Sequence, residues 1–124
     1  MEFEDLTRRI ISSAVRVHEE LGPGLLESAY RRCLSYELSN AGLSAEIEVP
    51  IPIVYRDVHL DCGYRADFIV AKSVLLEIKA IDALLPVHKA QVVTYLRLSR
   101  IRVGLLINFN ELRLIDGVRR LALR

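Results

Sequence analysis

The chain has 124 residues, 52% of them hydrophobic and 27% charged, and a formal net charge of +1 at pH 7. This composition excludes a disordered chain, and the length predicts one domain over residues 1–124 with a single core. The apolar runs are too short to span a membrane, and the acidic N-terminal segment differs from a signal peptide. Cys33 and Cys62 are widely spaced, and we interpret them as reduced core thiols, so we expect a cytoplasmic protein.

Charge is unevenly distributed along the chain. From residue 97 onward, seven arginines accompany only two acids, Glu111 and Asp116. Arginine binds phosphate groups through its bidentate guanidinium, so this segment permits a polyanionic substrate. The alternative is a solvated basic surface without a ligand, and charge alone favours that alternative.

Helices are predicted in the first third of the chain, because apolar residues recur there at helical spacing over 5–21 and 25–41. From residue 45 the apolar pattern changes to a period of two, which is typical of strands. The first strand should lie at a sheet edge, because Pro50 and Pro52 cannot donate to a central ladder. The predicted strands cover 45–55, 58–70 with a bend near Gly63, and 74–80.

The remaining elements follow from turn chemistry. Pro86 can open a helix over 87–98 at its first turn, and 103–108 is an apolar strand. Asp116-Gly117 indicates a tight hairpin within 112–123. The sequence therefore predicts an α/β domain with a mixed sheet, in the order helix, helix, three strands, helix, strand and terminal hairpin.

Three ionisable residues stand out on these apolar strands: Asp67, Glu77 and Lys79. Glu77 and Lys79 are two apart, so they point to the same face of their strand. If residues 71–73 form a three-residue turn, Asp67 lies directly opposite Glu77, whereas a two-residue turn would put them on opposite faces. We predict the three-residue turn and a site containing all three side chains.

Two carboxylates on apolar strands are costly to bury unless they bind something. Carboxylate oxygens with water suit Mg²⁺ or Mn²⁺, and such an ion would activate water for attack on a phosphodiester. Lys79 could orient that water or stabilise the charge that develops in the transition state. The alternative is a cross-strand ion pair between Lys79 and one carboxylate.

Three helices contribute further candidates. Glu27 falls on the inward stripe of the second helix, although an acid in a first turn can also simply complement the helix dipole. Gln91 and Tyr95 are four residues apart on the third helix, so they share one face of it. That face is either directed at the sheet or is the polar side of a surface helix. His18 borders the stripe of the first helix, where a satisfied histidine is favoured over a metal ligand.

These residues resemble a known family. Asp67 with Glu77-Ile78-Lys79 is similar to the D…ExK motif of the PD-(D/E)XK nuclease superfamily, with Ala66 in place of the proline. Residues 24–30, Gly24-Leu25-Leu26-Glu27-Ser28-Ala29-Tyr30, match the motif of its GxxExxY family. The phrases at 17–24, 60–67 and 104–109 also resemble that family, so the likeness covers nearly the whole chain.

The resemblance implies a restriction-endonuclease-like mixed sheet flanked by helices, with an αβββαβ core. Here an extra N-terminal helix and a C-terminal hairpin would be added. It implies that Asp67, Glu77 and the backbone carbonyl of Ile78 bind Mg²⁺ and that Lys79 is catalytic. It also implies that Glu27 is the acid of the first core helix.

Gln91 and Tyr95 resemble the QxxxY element beside the active site of RecB-like nucleases. Those nucleases also use an upstream histidine, a role that His18 could fill.

The leading hypothesis is a Mg²⁺-dependent nuclease that acts on nucleic acid, DNA in preference to RNA. The second is a nuclease-like module that binds nucleic acid or protein with little or no turnover. A small chain with modest charge offers little surface for gripping DNA, so we expect a homodimer.

Overall fold

The computed structural model describes residues 3–61 and 63–123. Its helices are α1 (Phe3–Leu21), α2 (Glu27–Asn40) and α3 (Pro86–Ser99). Its strands are β1 (Ala45–Pro50), β2 (Ile53–Tyr55), β3 (Val58–Leu60), β4 (Arg65–Val70), β5 (Val74–Lys79), β6 (Val103–Asn108) and β7 (Val118–Ala122). A short 3-10 helix covers Leu114–Gly117.

Five strands form one mixed sheet in the order β1-β4-β5-β6-β7, and β2 pairs with β3 in a separate two-stranded sheet. β5 and β6 are parallel, as the helical crossover through α3 requires, while the other pairs are antiparallel. The αβββαβ order predicted for the core is confirmed from α2 to β6, with the β2–β3 hairpin inserted between the first two core strands. The central position of β5 and the edge position of β1 are also confirmed.

Two apolar layers cover the two faces of this sheet. On one face, α1 and α2 pack their buried stripes against alternate residues of β5, including Val74, Leu76 and Ile78. On the other face, α3 packs against Leu75 and Leu106. Strand residues alternate between faces, so Glu77 shares the face of Leu75 and is directed towards α3.

The strand predicted over 45–55 ends instead at Pro50 and resumes at Ile53. Pro50 and Pro52 lack an N–H, so a continuous ladder fails there, and Ile51 donates its own N–H to the Tyr64 carbonyl at 2.8 Å. The strand predicted over 58–70 is likewise two strands. The bend near Gly63 is real, since this glycine has a φ of +80°.

The hairpin predicted within 112–123 is wrong. Residues 118–122 form a single strand, β7, that pairs with β6 at the sheet edge. Gly117 does not have the positive φ of a tight hairpin turn. It is glycine because a Cβ there would collide with the Asn108 carbonyl, so the Asp-Gly pair reflects close packing rather than a turn.

The cysteine prediction is only partly met. Cys33 is a free thiol that is partly exposed and packs at the margin of the core. Cys62 lies outside the described residues. No helix in the described part of the chain is long and apolar enough to cross a membrane.

Candidate active site

The turn between β4 and β5 sets the geometry of the site. Ala71 and Lys72 both have positive φ, of 52° and 54°, and Ser73 donates its N–H to the Val70 carbonyl at 2.9 Å. Val70 therefore pairs with Val74, which is the predicted register. Continuing that register places Asp67 opposite Glu77.

At Asp67 and Glu77 the side chains take over the cross-strand bonding. Glu77 Oε1 accepts the Asp67 N–H at 3.1 Å, and Asp67 Oδ2 accepts the Ile78 N–H at 2.7 Å. The regular backbone pairing of the two strands ends just before this point, at Phe68 and Leu76. Each carboxylate is thus fixed by a backbone amide of the opposite strand.

Burial makes these carboxyl groups hard to ionise. Desolvation raises the pKa of Glu77 to about 8, and the neighbouring Asp67 charge adds to the rise. Desolvation also raises the pKa of Asp67, against the opposing effects of the Ile78 amide and the Arg31 charge. A positive charge bound between the two groups would relieve both the desolvation and their mutual repulsion.

Arg31 is a component of this site that sequence reasoning missed. Its Nη1 lies 2.7 Å from Glu27 Oε1 and 3.6 Å from Asp67 Oδ1, so it links α2 to β4. The Glu27–Arg31 spacing of four residues is a detectable helical ion-pair signal. Its extension to Asp67 depends on the packing of α2 against the sheet, which the local pattern does not reveal.

Glu27 is the first residue of α2, and its side chain is 37% exposed. It joins Asp67 in one ion-pair network through Arg31, and it lies in the first turn of α2.

Tyr30 holds the start of α2 in place. Its hydroxyl donates to the Gly22 carbonyl at 2.5 Å and accepts the Leu25 N–H at 3.1 Å. Its ring stacks on Phe109 with 4.7 Å between centroids. These bonds fix the loop that leads into Glu27 at the start of α2.

Lys79 ends β5, two residues after Glu77, and its charge opposes the rise in the pKa of both carboxyl groups. Its backbone carbonyl accepts the Phe109 N–H at 2.8 Å. Ile78, between Glu77 and Lys79, has a fully buried side chain, so only its backbone is directed towards the site.

Tyr95 is buried on α3, and its ring meets Tyr64 edge-on with 6.4 Å between centroids. Burial raises the pKa of Tyr95, and the negative charge of Glu77 raises it further. Gln91 and Tyr95 line a groove of about 350 Å³ together with Tyr64 and Thr94. The structure thus brings the α3 candidates to the same side as Glu77.

His18 has a structural partner. Its buried ring places Nε2 2.7 Å from the Glu111 carbonyl, and the ring lies 6.4 Å from that of Phe109. A carbonyl only accepts, so Nε2 carries the proton in this bond. This arrangement is that of the satisfied histidine favoured from the sequence.

Asp67 and Glu77 are the described carboxylates that could hold a divalent ion at this site. Within residues 3–61 and 63–123, no group of three or more His, Cys, Asp or Glu side chains is arranged to hold a metal. Asp67 and Glu77 do provide two adjacent carboxylates whose charges repel each other. Mg²⁺ typically binds through one or two carboxylates and keeps several waters, so this pair fits Mg²⁺.

A family model described as the PD-(D/E)XK nuclease superfamily matches residues 4–121. The chain belongs to the PD-(D/E)XK nuclease superfamily. The superfamily generally comprises nucleases, hydrolases that typically use divalent metal ions. Neither the curated proteins nor the solved structures include a significant match to the chain. The mixed sheet with three helices agrees with the restriction-endonuclease-like fold expected of this superfamily.

Proposed function

We propose that this protein is a Mg²⁺-dependent nuclease of the GxxExxY type that hydrolyses phosphodiester bonds, in DNA rather than RNA. The observation that supports this most strongly is the pair of reciprocal hydrogen bonds by which Asp67 and Glu77 each accept a backbone amide of the opposite strand. The buried carboxyl group of Glu77 and the partly buried one of Asp67 are held side by side by backbone amides, at a desolvation cost that a bound cation would offset. A cytoplasmic location and a homodimeric state are part of the same proposal.

Asp67, Glu77 and the Ile78 carbonyl would hold Mg²⁺ or Mn²⁺. When bound, the ion supplies Lewis-acid stabilisation of the phosphate and a water of lowered pKa. The residues of the chain position the reactants around it. The reaction adds water across a P–O bond, with the water oxygen joining phosphorus and a proton passing to the departing sugar oxygen.

Lys79 is placed to act on that water, because it shares a strand face with Glu77 and no described hydrogen bond engages its amine. Its ammonium group can orient the water and stabilise the negative charge that develops on the phosphate. Gln91 and the Tyr95 hydroxyl can donate hydrogen bonds to phosphate oxygens from α3. Glu27 acts through Arg31, whose position next to Asp67 it helps to fix.

The Arg31 bridge also favours a second candidate, a nuclease-like binding module with little turnover. A guanidinium 3.6 Å from Asp67 compensates part of the carboxylate charge without any metal. Calorimetry separates the two, because the module predicts no Mg²⁺ binding that depends on Glu77.

The decisive experiment is cleavage of end-labelled single- and double-stranded DNA and RNA with Mg²⁺, Mn²⁺ or EDTA. We expect metal-dependent cleavage that Lys79→Ala and Glu77→Ala each reduce by at least about 100-fold, the order of magnitude for loss of one catalytic group. Lys72→Ala, in the exposed β4–β5 turn, is the matched lysine control and should retain activity. Cleavage that persists in both site variants overturns the proposal.

A further inference from the structure

A groove next to the carboxylates runs between α2 and the edge strand β1. Its volume is about 530 Å³, within the range of small-ligand clefts. From α2 it is lined by Ser28, Arg31, Arg32, Ser35 and Tyr36, and from the sheet by Ile47, Glu48 and Phe68. Arg31 belongs both to this groove and to the Asp67 network, so it connects the groove to the proposed active site.

The α2 wall has a regular composition. Ser28, Arg31, Arg32 and Ser35 recur at intervals of three, one and three residues, which places two hydroxyls and two guanidiniums on one helix face. Such donors, spaced along a line, match the acceptor oxygens of successive phosphates. The face is therefore suited to an extended anionic chain.

The groove also contains an aromatic platform. Tyr36 is 70% exposed although it is a large ring, and Ile47 across the groove is 55% exposed. Unpaired bases stack on such side chains, and single-strand binding sites combine a basic track for the backbone with aromatic platforms for the bases. A duplex, whose bases are already stacked, would leave Tyr36 unused.

Glu48 makes the two sides of the groove differ in charge. It lies on the β1 side, has a φ of +50°, and occupies the position opposite Asp67 where the β1–β4 pairing is interrupted. Its charge repels phosphate, so the anionic backbone is favoured on the α2 side of the groove.

Resting on the proposed nuclease function, we propose that the α2–β1 groove binds a single-stranded segment of the substrate adjacent to the cleaved bond. The backbone lies along the Arg31–Arg32 face of α2, and one base stacks on Tyr36. The enzyme would accordingly prefer single-stranded nucleic acid, or a duplex with a single-stranded flank, to a blunt duplex.

The test is binding of a fluorescent single strand and of the blunt duplex of the same sequence, without cleavage. The full chain carrying Lys79→Ala is used, with Mg²⁺ in one arm and EDTA in the other. We expect Tyr36→Ala to weaken single-strand binding by about 5-fold or more and Tyr36→Phe to preserve it, because the ring and not the hydroxyl stacks. Tyr55→Ala, on the β2–β3 hairpin and 63% exposed, is the matched control.

Salt dependence tests the phosphate contact separately. Arg32→Gln should lower the slope of log affinity against log salt by about 0.7, the value for one lost phosphate contact on a single strand. Glu48→Gln should strengthen binding, and Arg100→Gln, at the C-terminal cap of α3 and outside the groove lining, serves as the arginine control.

The groove proposal would be overturned if the groove variants and their controls changed single-strand affinity equally, or if no single-strand binding occurred with either Mg²⁺ or EDTA. If the wild-type protein shows no metal-dependent cleavage while the Tyr36-dependent binding of a single strand is intact, only the proposed nuclease function is overturned.

Discussion

Ionisation of Glu77 should make the metal-free protein less stable as pH rises. In the unfolded chain this carboxyl titrates near its ordinary value of 4.5, whereas in the folded protein burial raises its pKa to about 8. Below about pH 4.5 both states are protonated and the full stability is present. As pH rises towards 8, the unfolded state releases the proton first and stability is lost.

At about 1.4 kcal/mol per pH unit, this difference corresponds to a loss of about 3 to 4 kcal/mol between about pH 5 and pH 8. Asp67, whose pKa is also raised, contributes with the same sign. Glu77→Gln preserves an oxygen acceptor for the Asp67 amide but cannot ionise. The variant should therefore match the wild type near pH 5 and exceed it near pH 8.

The assay is urea denaturation in EDTA at several pH values between about 5 and 8. Glu46→Gln, an exposed position on β1, is the control and should follow the wild type throughout. Mg²⁺ should restore stability to the wild type near pH 8 but not to Glu77→Gln, because the ion binds the ionised carboxylate. Parallel pH profiles for the wild type and Glu77→Gln would refute the reasoning.

Three further outcomes are expected. Tyr30→Phe removes a hydroxyl that bonds two backbone groups, so it should cost about 1 to 2 kcal/mol in urea denaturation, while Tyr36→Phe, at an exposed ring, should cost nothing measurable. Arg31→Gln removes a cation beside Asp67 and should tighten Mg²⁺ binding by about tenfold in calorimetry; weaker binding would show that Arg31 supports the site rather than competing for it. Gly117→Ala places a methyl group against a backbone carbonyl and should cost about 2 to 3 kcal/mol, and an unchanged denaturation midpoint would contradict the close packing described there.

The carboxylate pair was predictable because its geometry depends on a short stretch of chain. Once residues 71–73 form a three-residue turn, the register between Asp67 and Glu77 follows by counting. The helix boundaries were similarly local, with Pro86 at the start of α3. Such features need only strand alternation and turn chemistry.

The wrong hairpin prediction and the missed arginine both depend on tertiary contacts. Asp116-Gly117 has the composition of a hairpin turn, but the glycine is required by its close contact with the backbone of Asn108, at the end of β6. Arg31 reaches Asp67 only because α2 packs over the sheet, against β1 and β5. Neither contact leaves a periodic trace in the sequence, so neither could be inferred from spacing.

The reciprocal hydrogen bonds of Asp67 and Glu77 affect which residues evolution can replace in this motif. Each carboxylate accepts a hydrogen bond from an amide of the opposite strand, so a descendant that lost catalysis would still need a side-chain acceptor at both positions. An uncharged acceptor such as glutamine could serve that purpose, so the charge of the two acids, and not the hydrogen bonds alone, is what points to a bound cation. The side-chain amine of Lys79 takes part in none of the described hydrogen bonds. Its retention or loss would therefore be the better indicator of whether a lineage still cleaves its substrate.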